Sequence, residues 1–282
     1  MEKLHFRRHE FKYLIRPDRY SQLWRELKHF MLRDAHMQED IPYTVNSIYF
    51  DSDDYSAYWE KLWGVKTRKK FRIRTYAKHF NSKTPIFLEC KGKQNEFVVK
   101  DRVVISYGQL HSLLEDPEPL WALAAKGKLH KLLSEFLVQK VRRRLKPVVY
   151  VIYNRLAYQG RFDPRFRVTF DSRVKALPYR GYLSMDADQK AGDTDITGYR
   201  VLESKFRGHL PAWFGQVVKD YELSRVPVSK YVHAINGCGL ESDPDRYCFL
   251  SQLLAEIRRK KKCRAHRKGT AVPEVTRERV FQ

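Results

Sequence analysis

The sequence lacks three features that would place it in a membrane or secreted class. No apolar run approaches the roughly 20 residues that a membrane-spanning helix needs. Residues 1–14 carry charges within their apolar stretch and have no small-residue cleavage site, which argues against a secretory signal. The four cysteines are scattered without C-x-x-C spacing, so neither a zinc site nor a disulfide framework is indicated. We therefore expect a cytoplasmic protein.

Acidic residues are in the minority. The chain has 282 residues, with 55 Lys and Arg against 33 Asp and Glu, so its net charge is +22. A charge of this size repels itself in a compact state and favours a polyanionic partner. The hydrophobic fraction of 43% supplies a sizeable core, which argues against a disordered basic chain.

Common nucleotide and nucleic-acid motifs are also missing. The sequence has neither a G-x-x-x-x-G-K-[ST] loop nor a G-x-G-x-x-G loop, so ATP would not be held by either type. Nucleic-acid binding is an alternative on charge, because Arg and aromatic residues interleave over residues 71–76. No helix-turn-helix, RRM or zinc-finger signature accompanies that charge, so we expect no specific nucleic-acid partner.

Runs of β-forming residues dominate the chain. We expect strands within residues 4–15, 46–51, 65–78, 85–93, 97–107, 147–158, 165–171 and 199–206. Helices are predicted over residues 17–37, within 108–140 and over 250–262. Because these strands show no βαβ alternation, we predict an α+β fold, an antiparallel β-barrel or tunnel with flanking helices.

The C-terminal residues differ in composition from the rest. We assign residues 1–250 to one domain and residues 251–282 to a basic C-terminal helix and tail, which has ten Lys and Arg against three Glu. Such a segment is either a solvated tail or a contact for an anionic membrane surface or a membrane-protein partner. Under the second interpretation the cytoplasmic protein is peripheral to a membrane.

Charged residues recur at every second position of the predicted strands, and residues i and i+2 share a face of a strand. The rows are Glu10 with Lys12, Arg72 with Arg74, Glu89 with Lys91, Lys100 with Arg102, Arg165 with Arg167, and Glu203 with Lys205. They form either a solvated outer face or the lining of a basic channel. Two like charges ~4 Å apart repel by roughly 4 kcal/mol at an effective dielectric near 20, so a basic channel favours a bound anion. Phosphate suits Arg and Lys, and the Glu residues are then candidate ligands for a divalent cation.

Eight short motifs follow one another along the chain. They are HEFKYLI (9–15), SIYFD (47–51), FRIRTY (71–76), FLECKGK (87–93), RLAY (155–158), RVTFD (167–171), LESKF (202–206) and SKY (229–231). Together they resemble the polyphosphate polymerase domain of the vacuolar transporter chaperone (VTC) family, over about residues 5–240. That family belongs to the triphosphate tunnel metalloenzymes, which include the CYTH-type triphosphatases.

The resemblance implies a β-tunnel with basic walls that transfers the γ-phosphate of ATP onto a polyphosphate chain. ATP and polyphosphate are the implied partners, and a divalent metal ion, Mn²⁺ or Mg²⁺, is the implied cofactor. Glu203 is the implied metal ligand, with Glu10 and Glu89 as further candidates. The candidate catalytic residues are Lys12, Arg72, Arg74, Lys91 and Lys230. The candidate phosphate- and ATP-binding residues are Lys100, Arg155, Arg167, Lys205 and Ser229.

Two positions depart from the patterns of these families. CYTH-type triphosphatases begin with E-x-E-x-K, whereas residues 8–12 read R-x-E-x-K, which favours the polymerase. Pro227 stands where the polymerases tend to have a Lys, and Arg225 lies two residues earlier. Two alternatives therefore stay open. One is an inorganic or nucleoside triphosphatase of the same fold, and the other is a non-catalytic module that binds polyphosphate or another polyanion.

Overall fold

A computed structural model describes residues 8–240, except residues 36, 38, 77–82, 95–96, 116 and 182–189. The strands are β1 (Arg8–Ile15), β2 (Met31–Arg33), β3 (Tyr43–Asp51), β4 (Thr67–Thr75), β5 (Ile86–Gln94), β6 (Phe97–Ile105), β7 (Lys146–Gly160), β8 (Arg167–Pro178), β9 (Gly192–Asp193) and β10 (Arg200–Arg207). The helices are α1 (Pro17–Leu27), α2 (Ser56–Leu62), α3 (Tyr107–Leu114), α4 (Glu118–Ala125), α5 (Lys131–Arg143), α6 (Ala212–Asp220) and α7 (Lys230–Gly237). None of these described helices has the length and apolar character needed to cross a membrane.

The chain divides into two units between Glu241 and Ser242. The first runs from Met1 to Glu241 and contains all of these strands and helices. The second begins at Ser242, and the predicted basic helix and tail lie within it, outside the described residues. The predicted boundary between residues 250 and 251 stays a prediction for the same reason.

The strands form one strongly curved antiparallel sheet. Eight of them follow the order β1-β10-β8-β7-β3-β4-β5-β6, while β2 pairs with β7 and β9 pairs with β8. Five strands separate β1 from β5 in this order, yet Lys91 Nζ on β5 lies 3.1 Å from Glu10 Oε1 on β1. The predicted antiparallel tunnel with flanking helices is thereby confirmed. Its hydrogen-bonded path ends at β1 and β6 rather than closing as a complete barrel.

Apolar side chains cover the outer face of the sheet beneath two groups of helices. Helices α1 and α6 pack on β1, β8 and β10, where the buried residues include Tyr13, Leu23, Leu27, Phe170, Leu202 and Phe214. Helices α3 to α5 pack on β4, β5 and β6, where they include Phe71, Ile73, Leu88, Ile105, Leu113 and Phe136. Full burial of each aliphatic or Phe side chain contributes roughly 1.5–3 kcal/mol. Because successive residues of a strand point to opposite faces, the charged residues between them point inward.

Helix α1 is shorter than the sequence predicts. It begins at Pro17, as expected, and buries Leu23 and Leu27. The prediction that it continues through Met37 is wrong, because the helix ends at Leu27 and Met31–Arg33 pairs with β7. Met31 lies in the same apolar cluster as Leu27, so strand pairing keeps its side chain in the core and satisfies its backbone. Apolar spacing alone does not distinguish a short buried strand from one more helical turn.

A buried carboxylate at the end of β3 joins three elements. Asp51 is fully buried and accepts hydrogen bonds from the backbone N–H groups of Ser52 (2.8 Å), Ala57 (2.9 Å) and Tyr58 (3.1 Å). The last two donors belong to the first turn of α2, which otherwise leaves its N–H groups without partners. Asp51 also accepts a hydrogen bond from the hydroxyl of Tyr231 on α7. The carboxylate therefore fixes both α2 and α7 against the sheet.

Replacing Asp51 with Ala is expected to lower the free energy of unfolding by several kcal/mol. Each buried donor left without an acceptor costs roughly 1–3 kcal/mol. Asp53→Ala is the matched control, because that carboxylate is exposed and its ion pair with Lys146 is worth about 1 kcal/mol or less. Urea denaturation of the two variants measures the difference. Equal losses would show that Asp51 does not hold the two helices.

Candidate functional site

Charged side chains from seven strands and from α7 meet on the inner face of the sheet. We call this set the tunnel cluster, and each member lies within 3.8 Å of an oppositely charged member. Its nine cations are Lys12, Arg72, Arg74, Lys91, Lys100, Arg102, Arg155, Lys205 and Lys230. Its four carboxylates are Glu10, Glu89, Asp171 and Glu203.

Glu203 on β10 is the most connected carboxylate of one half of the cluster. It is 5% exposed and lies 2.9 Å from Lys205, 3.1 Å from Lys230, 3.5 Å from Lys12 and 3.8 Å from Arg155. Burial disfavours its charged form, but the surrounding cations outweigh burial and hold the pKa of Glu203 well below its usual range. The carboxylate is therefore ionised at neutral pH.

Asp171 on β8 orients two of the same cations. Its carboxylate receives a two-pronged contact from Arg155, with Nε–Oδ1 and Nη2–Oδ2 distances of 2.6 and 2.7 Å. Lys230 Nζ lies 2.5 Å from the second oxygen. A two-point contact fixes the plane of the guanidinium, so Arg155 is held in one orientation before any ligand arrives.

Glu10 on β1 connects this half of the cluster to the opposite wall. Lys12 Nζ lies 3.3 Å from Glu10 and 3.5 Å from Glu203, and thus between the two carboxylates. Lys91 reaches Glu10 from β5 across the tunnel at 3.1 Å. Burial opposes ionisation of Glu10, but Lys91 and Lys12 outweigh it and hold the pKa of this carboxyl below its usual range.

Glu89 on β5 is the centre of the other half of the cluster. It is 1% exposed and its oxygens lie 2.6 Å from Arg72 and from Arg102, 3.2 Å from Lys100 and 3.7 Å from Arg74. Burial disfavours its charge, yet these four cations hold the pKa of Glu89 well below its usual range. Glu89 therefore serves as a shared counter-charge for the basic wall formed by β4 and β6.

Tyrosine side chains join the two halves of the cluster. The Tyr153 hydroxyl accepts a hydrogen bond from Arg74 Nη2 at 3.0 Å. The Tyr153 ring lies 4.8 Å from Lys230 Nζ and 5.3 Å from the guanidinium carbon of Arg155. On β3, the Tyr49 hydroxyl accepts from Arg72 Nη1 at 3.0 Å. These hydroxyl acceptors fix guanidinium groups without adding a further carboxylate to the tunnel.

The cluster has a surplus of positive charge. Nine cations share four carboxylates, so five positive charges have no carboxylate of their own. Burial lowers the pKa of Lys100 to about 8, with Glu89 opposing this shift and Arg72 adding to it. A bound polyanion would supply the missing negative charge, and Arg and Lys are the side chains that bind phosphate oxygens best.

The structure brings together eleven of the thirteen candidate site residues. The two outside the cluster are Arg167, which pairs with Asp34, and Ser229, which precedes Lys230 as the N-cap residue of α7. Arg225 stacks on the ring of Phe11 at 3.5 Å, and Phe11 packs with the outer apolar cluster. Arg225 therefore does not replace the Lys that the family has at position 227.

Sequence reasoning left two cluster members, and the tyrosines that contact the cluster, out of the candidate list. Arg102 lies two residues after Lys100, and Asp171 lies four after Arg167, so strand alternation places both on the charged faces. Tyr49 and Tyr153 give no comparable signal, because a Tyr on a strand is equally compatible with the apolar core. Their hydrogen bonds to arginines appear only once the strands are paired.

Two of the three candidate metal ligands come together. Glu10 and Glu203 share the ammonium of Lys12, and both are ionised. The described residues contain no group of three or more His, Cys, Asp or Glu side chains arranged to hold a metal ion. Two carboxylates completed by phosphate oxygens are nevertheless the donor set that Mg²⁺ takes beside phosphorylated substrates. Glu10 and Glu203 fit such a cation, because their neighbours are mainly lysines, whose flexible ammonium groups can move aside. Glu89 fits it less well, because three of its four neighbouring cations are arginines.

The curved antiparallel sheet and the surplus of cations inside it define a basic tunnel. The family model of the VTC domain matches residues 7–237. The chain therefore belongs to the VTC domain family, as its motifs predict.

Individual relatives agree with this assignment. The chain is 26% identical over 272 residues to vacuolar transporter chaperone complex subunit 4 of Schizosaccharomyces pombe, covering 82% of the chain and 37% of that protein. It is 24% identical over 232 residues to subunit 4 of Trypanosoma brucei brucei, covering 70% of the chain and 29% of that protein. The chain thus spans about a third of the length of the curated relatives it matches.

Similarity to solved structures is weaker. A Bacillus halodurans protein provisionally assigned as an adenylate cyclase is 15% identical, with a TM-score of 0.44 over 79% of this chain and 94% of that chain. The mimivirus capping enzyme triphosphatase is 9% identical, with a TM-score of 0.33 over 76% of this chain and 89% of that chain. The family assignment rests on the VTC domain match.

Replacing Arg72 with Met is expected to weaken tripolyphosphate binding by about 10- to 100-fold. A charge-assisted hydrogen bond is worth roughly 1.5–3 kcal/mol. The melting temperature should stay near that of the wild type, because Glu89 keeps three other cations. Arg165→Met, an exposed change outside the cluster, is the control and should bind normally. Calorimetric titration measures both. A variant that melts far lower but binds normally would make Arg72 structural.

Proposed function

We propose that this domain is a polyphosphate polymerase, which transfers the γ-phosphate of ATP to the end of a polyphosphate chain. The observation that carries the proposal is the surplus of cations in the tunnel cluster, which has members on seven strands and on α7. Cations also occupy successive inward positions along single strands, as Arg72 and Arg74 do on β4 and Lys100 and Arg102 on β6. A transferase of this kind must hold two polyanions at once, which requires positive charge along the length of the tunnel rather than at one end.

The reaction places two phosphate groups in line. A terminal oxygen of the polyphosphate chain attacks the γ-phosphorus of ATP, the bond to the β–γ bridging oxygen breaks, and ADP leaves. Arg72, Arg74 and Arg155 are held by Glu89, Ser47 and Asp171, so their orientation is fixed before the substrates enter. Fixed cations around transferring phosphoryl groups contribute positioning and charge stabilisation, which are the main requirements of this chemistry.

Glu10 and Glu203 are the residues that would hold a divalent cation, Mn²⁺ or Mg²⁺. When bound, such a cation neutralises phosphate oxygens and draws charge from the leaving group. Lys12 lies between the two carboxylates and would share their charge with the cation. These assignments are part of the proposal. The predicted phosphate-binding roles of Arg167 and Ser229, which lie outside the cluster, are part of it too.

We propose a cytoplasmic location, peripheral to a membrane, for the whole protein. The support is the net positive charge of the chain, together with the ten Lys and Arg residues that fall within residues 251–282. A basic segment of this kind is attracted to anionic lipid headgroups. The relatives are named as subunits of a complex, so a membrane-bound partner subunit is a further element of this proposal.

Incubation with ATP and Mn²⁺ is expected to yield ADP and polyphosphate chains longer than a triphosphate. Short polyphosphate added at the start should shorten any lag, because it supplies the acceptor. Gel electrophoresis of the products, with ADP and free phosphate measured in parallel, tests both expectations. Release of free phosphate or diphosphate without chain growth, with any metal, would favour the triphosphatase. Binding without turnover would favour the non-catalytic module.

Replacing Glu203 with Gln is expected to reduce turnover by orders of magnitude and to weaken Mn²⁺ binding in the presence of polyphosphate. The amide keeps the shape of the side chain but loses its charge. Polyphosphate affinity should be kept or increased, because a negative charge leaves the tunnel. Glu26→Gln, an exposed change on α1, is the control. Calorimetry with the metal separates binding from activity, and unchanged metal binding would remove Glu203 as a ligand.

A further inference from the structure

Three lysines stand side by side on the inner face of β4, β5 and β6. The register places Lys70 opposite Lys91, and Lys91 opposite Lys100. Directly opposed like charges destabilise a sheet unless something neutralises them. The next row inward differs, because Glu89 stands between Arg72 and Arg102. The lysine row has no carboxylate of its own.

Two members of the row reach carboxylates in other rows. Lys91 contacts Glu10 at 3.1 Å, and Lys100 contacts Glu89 at 3.2 Å. Lys70 differs from both. Among the described residues its Nζ is buried and has no hydrogen-bond partner, and it lies 4.7 Å from the centre of the Tyr231 ring. A buried ammonium group without an acceptor is costly, so this position requires an explanation.

The groups around Lys70 do not supply the missing acceptor. Asp51 is the nearest carboxylate in electrostatic effect, but backbone donors and the Tyr231 hydroxyl already occupy its oxygens. Burial lowers the pKa of Lys70 to about 7, because the attraction of the carboxylates does not compensate for lost hydration. The charged and titratable groups facing Lys70 are Asp51, Glu60, Lys61, Arg68 and Tyr231, with Lys91 opposite on β5.

We propose that Lys70 binds a phosphate group of the polyphosphate chain and extends the basic wall of Arg72 and Arg74 by one position. The inference rests on the proposed function, because it identifies the tunnel's ligand as a chain long enough to pass this row. Lys70, Arg72 and Arg74 alternate along β4 and so share one face, spaced by about 6.8 Å per pair of residues. A phosphate oxygen at Lys70 supplies the acceptor that its ammonium lacks.

Chain binding at Lys70 would change the protonation of its ammonium group. A phosphate beside Lys70 favours its charged form, so the pKa of Lys70 rises when the chain binds. Near pH 8 the free protein has largely lost this proton, and the complex regains it. Chain binding is therefore accompanied by proton uptake at this residue, and the affinity weakens as pH rises through this range.

The test compares Lys70→Met with Lys69→Met. Methionine keeps the aliphatic length and removes the ammonium. Lys69 is the adjacent residue on the opposite face, where it is half exposed and pairs with Glu135, so its variant is the matched control. Long-chain polyphosphate and tripolyphosphate are titrated calorimetrically at pH 7 and pH 8. Each titration is repeated in two buffers of different ionisation enthalpy, and the difference in binding enthalpy gives the number of protons taken up.

We expect Lys70→Met to weaken long-chain binding at pH 7 at least several-fold and to lower proton uptake at pH 8. Lys69→Met should match the wild type in both. Loss for the long chain but not for tripolyphosphate would place Lys70 at a subsite that only the chain reaches. Unchanged long-chain affinity and proton uptake in Lys70→Met, or equal losses in both variants, would overturn the proposal.

Stability and activity separate the remaining outcomes. Removing a buried, unpaired ammonium should leave the melting temperature unchanged or raise it. If Lys70→Met does not fold, Lys70→Arg decides, since it keeps the charge but does not titrate. Wild-type affinity with lower proton uptake supports the proposal, and unchanged uptake contradicts it. A wild type that binds chains but never lengthens them refutes the polymerase while leaving the Lys70 result intact.

Discussion

The structure depends on a balance between positive charge inside the sheet and apolar packing outside it. Nine cations share four carboxylates on the inner face, and mutual repulsion would open the sheet if nothing opposed it. The helices on the outer face supply the opposition, through two clusters of buried side chains on β1, β8 and β10 and on β4 to β6. The tunnel can therefore keep a charge surplus for its ligand, because its stability comes mainly from elsewhere.

The four carboxylates neutralise the surrounding cations and also hold them in place. Glu89 and Asp171 hold arginines by short contacts, and tyrosine hydroxyls complete the same arrangement. Glu10 and Glu203 instead face lysines, whose flexible ammonium groups can yield to a cation. The cluster thus combines a rigid arginine wall with a more adaptable lysine and carboxylate side. The proposed transfer of a phosphate group between two polyanions would use both, because one substrate must be fixed while the other advances.

Much of this arrangement could be predicted from the sequence. Residues two apart on a strand share a face, so the rows of Arg, Lys and Glu specify one charged face on each strand without knowledge of the strand order. The absence of βαβ alternation indicates an antiparallel sheet, because parallel strands would need a helix between them along the chain. Eleven of the thirteen candidate residues meet in the tunnel. Strand alternation, which depends only on local chain geometry, and the order of the motifs along the chain were enough to select them.

The sequence by itself determined which residues share the charged face of each strand, and only the tertiary structure decided that this face points inward and which of its residues meet. Strand order separates Glu89 from Glu10 and Glu203, although all three lie in similar charged rows. Sheet pairing ends α1 at Leu27, because burying Met31 on β2 outweighs helical periodicity. Register places the lysine row without a carboxylate and leaves Lys70 unpaired among the described residues. These outcomes depend on contacts between residues far apart in the chain, which no local pattern contains.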